Sequence, residues 1–258
     1  IVDRLVQRPE FELATLAGPG FINLKMVPKF WTQIIPGVLK SGLKYGDCNL
    51  GRAETINVEY VSANPTGPMH IGHARGAVIG DSLGNLLSKA GYNVSREYYV
   101  NDAGAQIDVL ARSVHLRYRQ ALGENIGEIP DGFYPGEYLK QTAKDLVERD
   151  GSKWRELKEE IWLPELRTFA IESMMLLIRD DLKALGVIHD IFTSETRLVS
   201  NGSNSEVVNA LKSLDLVYIG TLKPPKGKIL EDWEKRPQLL FRSTKFGDDV
   251  DRPLQKAD

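Results

Sequence analysis

Apolar and polar residues alternate through Phe21-Ile22-Asn23-Leu24-Lys25-Met26, the period of a half-buried strand. Phe11-Glu12-Leu13-Ala14-Thr15-Leu16 leads into Ala17-Gly18-Pro19-Gly20, a turn by its Gly and Pro content. Residues 27–43 predict a helix broken near Pro36-Gly37, and the polar, Gly-bearing stretch 46–53 reads as a linker. Alternation returns over 55–61, with Ile56, Val58 and Tyr60 on one face and Asn57, Glu59 and Val61 on the other. A loop with two prolines, 62–69, follows. From 70 to 90 the period becomes helical, through Ile71, Ala74, Val78, Ile79, Leu83, Leu86 and Leu87, and Gly91 suits the end of that helix. A second strand over 94–100 precedes a helix to about 121, which Asn101-Asp102 is placed to cap.

Strand, helix, strand, helix with short joints is the βαβ pattern of a parallel sheet, whose ligand site lies at the strand C-termini. Beyond a Gly- and Pro-rich loop, 137–149, 153–163 and 165–185 have helical period, with Pro164 suited to the first turn of the third helix. They read as a helical insertion. Strand character resumes over 186–192, then a helix over 205–214, a strand over 216–219, a turn at Pro224-Pro225-Lys226-Gly227 and a strand over 238–242.

Composition narrows this little. The chain has 258 residues, 42% of them hydrophobic, with 33 Lys and Arg against 35 Asp and Glu. These values exclude a disordered, collagenous or generally basic protein, while a local basic patch stays open. Cys48 is the single cysteine, so an internal disulfide and a Cys-based zinc site are excluded. No apolar run approaches the ~20 residues of a membrane span. Ile1-Val2-Asp3-Arg4 lacks the features of a signal peptide, so a cytoplasmic setting is expected.

The chemistry-bearing string is His70-Ile71-Gly72-His73, between the loop and the first long helix. A helix N-terminus attracts phosphate through its exposed amides and dipole. Imidazoles at i and i+3 share a face and can donate hydrogen bonds to phosphate oxygens, and Gly72 allows close approach of a nucleotide. A zinc site is the rival reading. It lacks a third His or Cys nearby, and the helix dipole opposes a cation.

The stretch Val58-Glu59-Tyr60-Val61-Ser62-Ala63-Asn64-Pro65-Thr66-Gly67-Pro68-Met69-His70-Ile71-Gly72-His73-Ala74-Arg75-Gly76 closely resembles the signature region of bacterial-type arginyl-tRNA synthetases, which are class I aminoacyl-tRNA synthetases. The resemblance continues in Tyr99-Val100-Asn101-Asp102-Ala103-Gly104-Ala105-Gln106-Ile107, in Pro224-Pro225-Lys226-Gly227-Lys228, and in Leu240-Phe241-Arg242-Ser243-Thr244-Lys245-Phe246-Gly247-Asp248-Asp249. It implies an α/β fold: a Rossmann-like parallel sheet with a helical insertion, preceded by the remnant of an α+β domain. The implied domains are 1–25, the tail of a tRNA-elbow-binding domain; 26–127, the first half of the catalytic domain; 128–186, the insertion; and 187–258, its continuation.

By resemblance, His70 and His73 are catalytic and contact ATP, with Gly72, Thr66 and Gly67 also on the nucleotide. Glu59, Ser62, Asn64 and Gln106 hold the substrate arginine, while Asp102 is read as a helix cap. The implied partners are ATP with Mg²⁺, L-arginine and tRNA(Arg), with no prosthetic group, no protein-held metal and no membrane, in a monomer. His115 and His189 are expected to be structural, and the helix around Met174 to be core or an insertion interface. Lys223, Lys226, Lys228 and Arg242 are expected to belong to a solvated face, with a local basic surface for tRNA as the alternative.

Two departures qualify the implied activity. The second class I signature, K-M-S-K-S-like, is absent, and Thr66-Gly67-Pro68 stands where some arginyl enzymes carry a substituting lysine. That lysine, the guanidinium-recognising helix and the anticodon domain are expected after Asp258, making the chain a fragment inactive by itself. Two other readings compete: a small adenylyltransferase, which leaves the 62–68 loop unexplained, and a non-catalytic tRNA- or partner-binding module, against which the intact His70, Gly72 and His73 argue.

Overall fold

The computed structural model describes residues 1–222 and 237–255. The chain divides into two units, Ile1–Val58 with Val78–Arg96, and Glu59–Ala77 with Glu97–Asp258.

The first unit opens with α1 (Val2–Val6), followed by the antiparallel hairpin of β1 (Phe11–Ala17) and β2 (Phe21–Met26). Ala17 pairs with Phe21 across the turn. Helix α2 (Pro28–Ser41) starts with a proline in its first turn and runs unbroken past Pro36, correcting the expected break. The stretch 46–53 is pinned rather than loose. Its Cys48, Gly51 and Ala53 amides donate to the carbonyls of Lys89, Ala90 and Gly91 at 2.8–2.9 Å. Gly91 has φ +89, and a Cβ there would lie 2.7 Å from the Cys48 carbonyl, so both backbone conformation and space require glycine. The pinned residues meet the end of α3 (Ile71–Lys89), the helix that follows β3 (Thr55–Glu59); both elements extend into the second unit.

In the second unit, the later part of β4 (Asn93–Val100) pairs in parallel with β5 (Ile191–Ser194), Glu97 opposite Ile191 and Val100 opposite Ser194. The sheet order is β3-β4-β5. This is the α/β, Rossmann-like architecture that the alternating strands and helices imply. The crossover from β4 to β5 carries α4 (Ala105–Ala121), α5 (Tyr138–Asp150) and α6 (Glu159–Ala184). Each shows the helical stripe that burial needs. Leu110, Val114 and Tyr118 of α4, Leu139 and Leu146 of α5, and Leu166 and Met174 of α6 are completely buried in one cluster.

Helix α6 corrects the expectation of two helices separated at Pro164, which lies inside it. A proline within a helix costs about 3 kcal/mol. Trp162, Leu166, Ala170, Met174, Ile178 and Leu182 form an unbroken buried stripe at four-residue spacing. Each large member contributes about 1.5–3 kcal/mol by burial, so the stripe outweighs the proline. The chain continues through α7 (Glu195–Ser200) and α8 (Ser203–Ser213) to an antiparallel sheet ordered β6 (Val217–Gly220), β7 (Gln238–Phe241), β8 (Arg252–Gln255). The strand expected over 186–192 begins only at Ile191, because Gly186 and the residues after it turn out of α6.

Candidate functional site

Glu59, Ser62, Asn64, Thr66, Gly67, His70, Gly72, His73 and Gln106 all fall in the second unit: Glu59 ends β3, Ser62 to His70 lie on the loop between β3 and α3, Gly72 and His73 lie in the first turn of α3, and Gln106 lies in the first turn of α4. Strand β3 stops at Glu59, and Val61 and Ser62 take positive φ values of 68° and 42°. A β-branched residue there is strained, so the loop leaves the sheet by a turn that surrounding contacts must enforce. Those contacts are visible. Ser62 Oγ donates to Glu59 Oε1 and accepts the Tyr99 amide at 3.0 Å. The buried Tyr98 hydroxyl donates to the Ala63 carbonyl at 2.8 Å, and burial raises the Tyr98 pKa well above the ordinary phenol value, keeping that proton in place.

Asn64, Asn101 and Gln106 form a second cluster. Asn64 Nδ2 donates to Gln106 Oε1 at 3.0 Å, and Asn101 Nδ2 donates to Asn64 Oδ1 at 3.1 Å. Gln106 Nε2 reaches the Asn101 carbonyl at 3.5 Å. The network joins the two strand ends with amide groups, which can serve as donors and acceptors to a polar ligand. The structure thus brings Glu59 to Ser62 and Asn64 to Gln106, and adds Asn101.

Asp102 does not cap α4, whose N-cap is Gly104 with no side-chain cap. Its carboxylate instead accepts from Ser194 Oγ at 2.5 Å and from the Thr196 amide at 2.8 Å, and its carbonyl accepts from Thr196 Oγ1 at 3.1 Å. It ties the segment after β4 to the start of α7. Burial, with the nearby Glu195 and Asp102 charges, raises the pKa of the adjacent Tyr99.

The His70 and His73 rings stack with centroids 3.6 Å apart and planes 17° from parallel. His70 precedes α3, and its Nδ1 accepts the Gly72 amide at 3.1 Å and the His73 amide at 3.4 Å. His73 Nδ1 accepts the His70 amide at 3.4 Å. With Nδ1 an acceptor on each ring, each ring is left with its Nε2–H as the donor. Neither Nε2 has a hydrogen-bond partner among the described residues. Burial, reinforced by His70, lowers the His73 pKa, so that ring is neutral at pH 7. Two of the helix amides expected to meet phosphate are therefore spent on His70. The donors that remain are two Nε2–H groups at the positive end of a 19-residue helix, an arrangement suited to phosphate oxygens. A Cβ on Gly72 would lie 3.0 Å from His70 Cε1.

Thr66 and Gly67 lie beside Tyr138, whose hydroxyl donates to the Thr66 carbonyl at 2.7 Å, a long-range contact that nothing local in the sequence announces. His189 is buried against Tyr60, ring centroids 4.2 Å apart, and His115 stacks on Trp162 at 4.0 Å. Among the described residues no group of three or more His, Cys, Asp or Glu side chains is placed to hold a metal, and no helix is long and apolar enough to cross a membrane. Arg242 lies over the Tyr218 ring, 3.8 Å from Asp215, while Lys223, the 224–228 motif, Lys226 and Lys228 lie outside the described residues.

The parallel sheet with paired histidines at the start of its first long helix fits a class I tRNA synthetase catalytic domain. A family model described as "tRNA synthetases class I (R), catalytic domain" matches residues 34–159. The chain is 53% identical along its whole length to the arginine–tRNA ligase of Rhizobium etli, and 57% identical over 94% of its length to that of Parvibaculum lavamentivorans. A solved structure assigned as an arginyl-tRNA synthetase from Campylobacter jejuni superposes with a TM-score of 0.69 at 32% identity, covering 88% of this chain and 46% of that one. The chain belongs to the arginyl-tRNA synthetase family. It spans 44% and 42% of the lengths of the two curated relatives.

Proposed function

We propose that this chain supplies the ATP- and arginine-holding part of an arginine–tRNA ligase. The observation that carries the reading is the stacked His70–His73 pair, its Nε2–H donors without partners among the described residues, where the loop that bears Asn64 enters α3. The first step activates L-arginine. Its carboxylate oxygen attacks the α-phosphorus of ATP in line, a new O–P bond forms, and the bond to the pyrophosphate oxygen breaks. Charge then accumulates on the α-phosphate oxygens, where the His70 and His73 Nε2–H groups and the helix dipole stabilise it. Thr66, Gly67 and Gly72 are assigned to the nucleotide as the backbone that sets the two histidines against its phosphates.

Asn64, Gln106, Ser62 and Glu59 are assigned to the arginine, the Glu59 carboxylate matching a cationic group and the amides orienting it. The second step passes the arginyl group from the adenylate to the terminal ribose of tRNA(Arg), releasing AMP. Mg²⁺ would accompany ATP and neutralise charge on its phosphates. We assign residues 1–25 to the tail of an N-terminal tRNA-contacting domain, 26–127 and 187–258 to the catalytic domain, and 128–186 to its helical insertion. The natural protein carrying this chain acts as a monomer in the cytoplasm. Charging of tRNA(Arg) with labelled arginine by that protein tests the reading; charging with a different amino acid overturns it.

A further inference from the structure

Two side chains from the helical segment reach back to the loop before α3. Tyr138, the first residue of α5, donates to the Thr66 carbonyl at 2.7 Å from 72 positions away. Asp181 of α6 accepts the Met69 amide on Oδ2 at 3.1 Å from 112 positions away. Together they bracket the four residues 66–69 that deliver the chain to His70. Two glycines make room for the tyrosine. A Cβ at Gly136 would lie 2.0 Å from Tyr138 Cε1, and one at Gly67 would lie 2.8 Å from the Tyr138 hydroxyl. Pro65, immediately before the bracketed segment, is fully buried. The segment is thus anchored before it, at its first residue and at its last.

We propose that Tyr138 and Asp181 are positioning residues for the nucleotide, holding residues 66–69 in the register from which His70, Gly72 and His73 meet the ATP phosphates. Helices α5 and α6 both pack on α4 through the buried cluster of Leu110, Leu139 and Leu166, so the placement of these helices is transmitted to the phosphate end of the site. The inference rests on the assignment of ATP to that end. Both ties terminate on the backbone of the 66–69 segment, and neither touches the side chains of the Asn64–Asn101–Gln106 network; the Thr66 amide meets Asn64 at its backbone carbonyl, at 2.7 Å. Their loss therefore weakens ATP and spares arginine, whereas a merely structural role would lower stability and affect both substrates alike.

The test measures KM for ATP and for arginine in ATP–pyrophosphate exchange, in the presence of tRNA(Arg), by the natural protein carrying this chain, together with its ATP Kd by calorimetry. Y138F and D181A should each raise KM and Kd for ATP by about three- to tenfold, the value of one hydrogen bond, with KM for arginine changed less than about twofold. D181N keeps an oxygen that accepts the Met69 amide and should return toward wild type. Unchanged ATP values, an equal rise for both substrates, or a D181N variant as impaired as D181A would overturn the proposal. Should Y138F not fold, the D181A and D181N pair decides alone. If wild type shows no arginine-dependent exchange, the arginine assignment falls, and the calorimetric values, which need no turnover, still decide the positioning role. Absence of ATP binding by wild type overturns both.

Discussion

The His70 and His73 imidazoles lie face to face at 3.6 Å, and each uses Nδ1 to accept a backbone amide from the other's residue. This mutual capping explains why glycine stands between them. A Cβ at position 72 would meet His70 Cε1 at 3.0 Å and Nδ1 at 3.1 Å, so the ring must move by a few tenths of an ångström and loosen its hold on the Gly72 amide. Gly72→Ala should raise KM for ATP about tenfold by misaligning the Nε2–H donor, with little change in KM for arginine. Equal KM values for the variant and wild type would show that the ring has no fixed placement to lose.

Tyr98 holds the strained turn from the sheet side. Its hydroxyl is the donor to the Ala63 carbonyl, and the ring is completely buried beside Phe192, centroids 5.2 Å apart. Tyr98→Phe preserves the packing and leaves the carbonyl without its partner, a cost of about 1–3 kcal/mol. Urea denaturation should show a lower midpoint with an unchanged slope. An unchanged midpoint would mean that the turn at Val61 and Ser62 does not depend on this bond.

Burial lowers the His115 pKa, outweighing the Nε2 hydrogen bond to the Trp154 carbonyl at 2.9 Å, which favours the charged ring. In the unfolded chain the imidazole takes up its proton near pH 6.5, while the folded ring resists protonation until lower pH. The unfolded state therefore binds more protons in that window, and stability is full above about pH 6.5 and declines on acidification below it. The slope from this one group is at most about 1.4 kcal/mol per pH unit. His115→Gln, which retains a donor for the Trp154 carbonyl, should flatten the decline between pH 7 and 5 in chemical denaturation. An identical pH profile for variant and wild type would contradict the assignment.

The parts of the site legible in the sequence are those that depend on local order. His70, Gly72 and His73 stand at a loop-to-helix junction, and periodicity locates that junction because α3 carries its apolar residues at helical spacing. The strand at 55–59 is visible for the same reason, from Ile56 and Val58. Its early end is not, since nothing in the letters Val61-Ser62 signals a left-handed backbone. Contacts between distant positions are equally silent. Asp102 looks like a helix cap because capping is the local use of an aspartate, whereas its partners Ser194 and Thr196 lie over 90 positions away. Tyr138 and Asp181 read as ordinary helical residues until the fold brings them to Thr66 and Met69. Pro164 misleads because its local cost is plain in the sequence and the compensating buried stripe is a property of the packed helices.

The central claim is that the His70–His73 pair serves arginine activation. Arginine-dependent ATP–pyrophosphate exchange, measured with tRNA(Arg) on the natural protein carrying this chain and on its His73→Ala variant, tests it most directly. Exchange should proceed with arginine and no other amino acid, and the variant should lose a factor of about 10² or more. Undiminished exchange by the variant, or exchange driven by a different amino acid, would contradict the account.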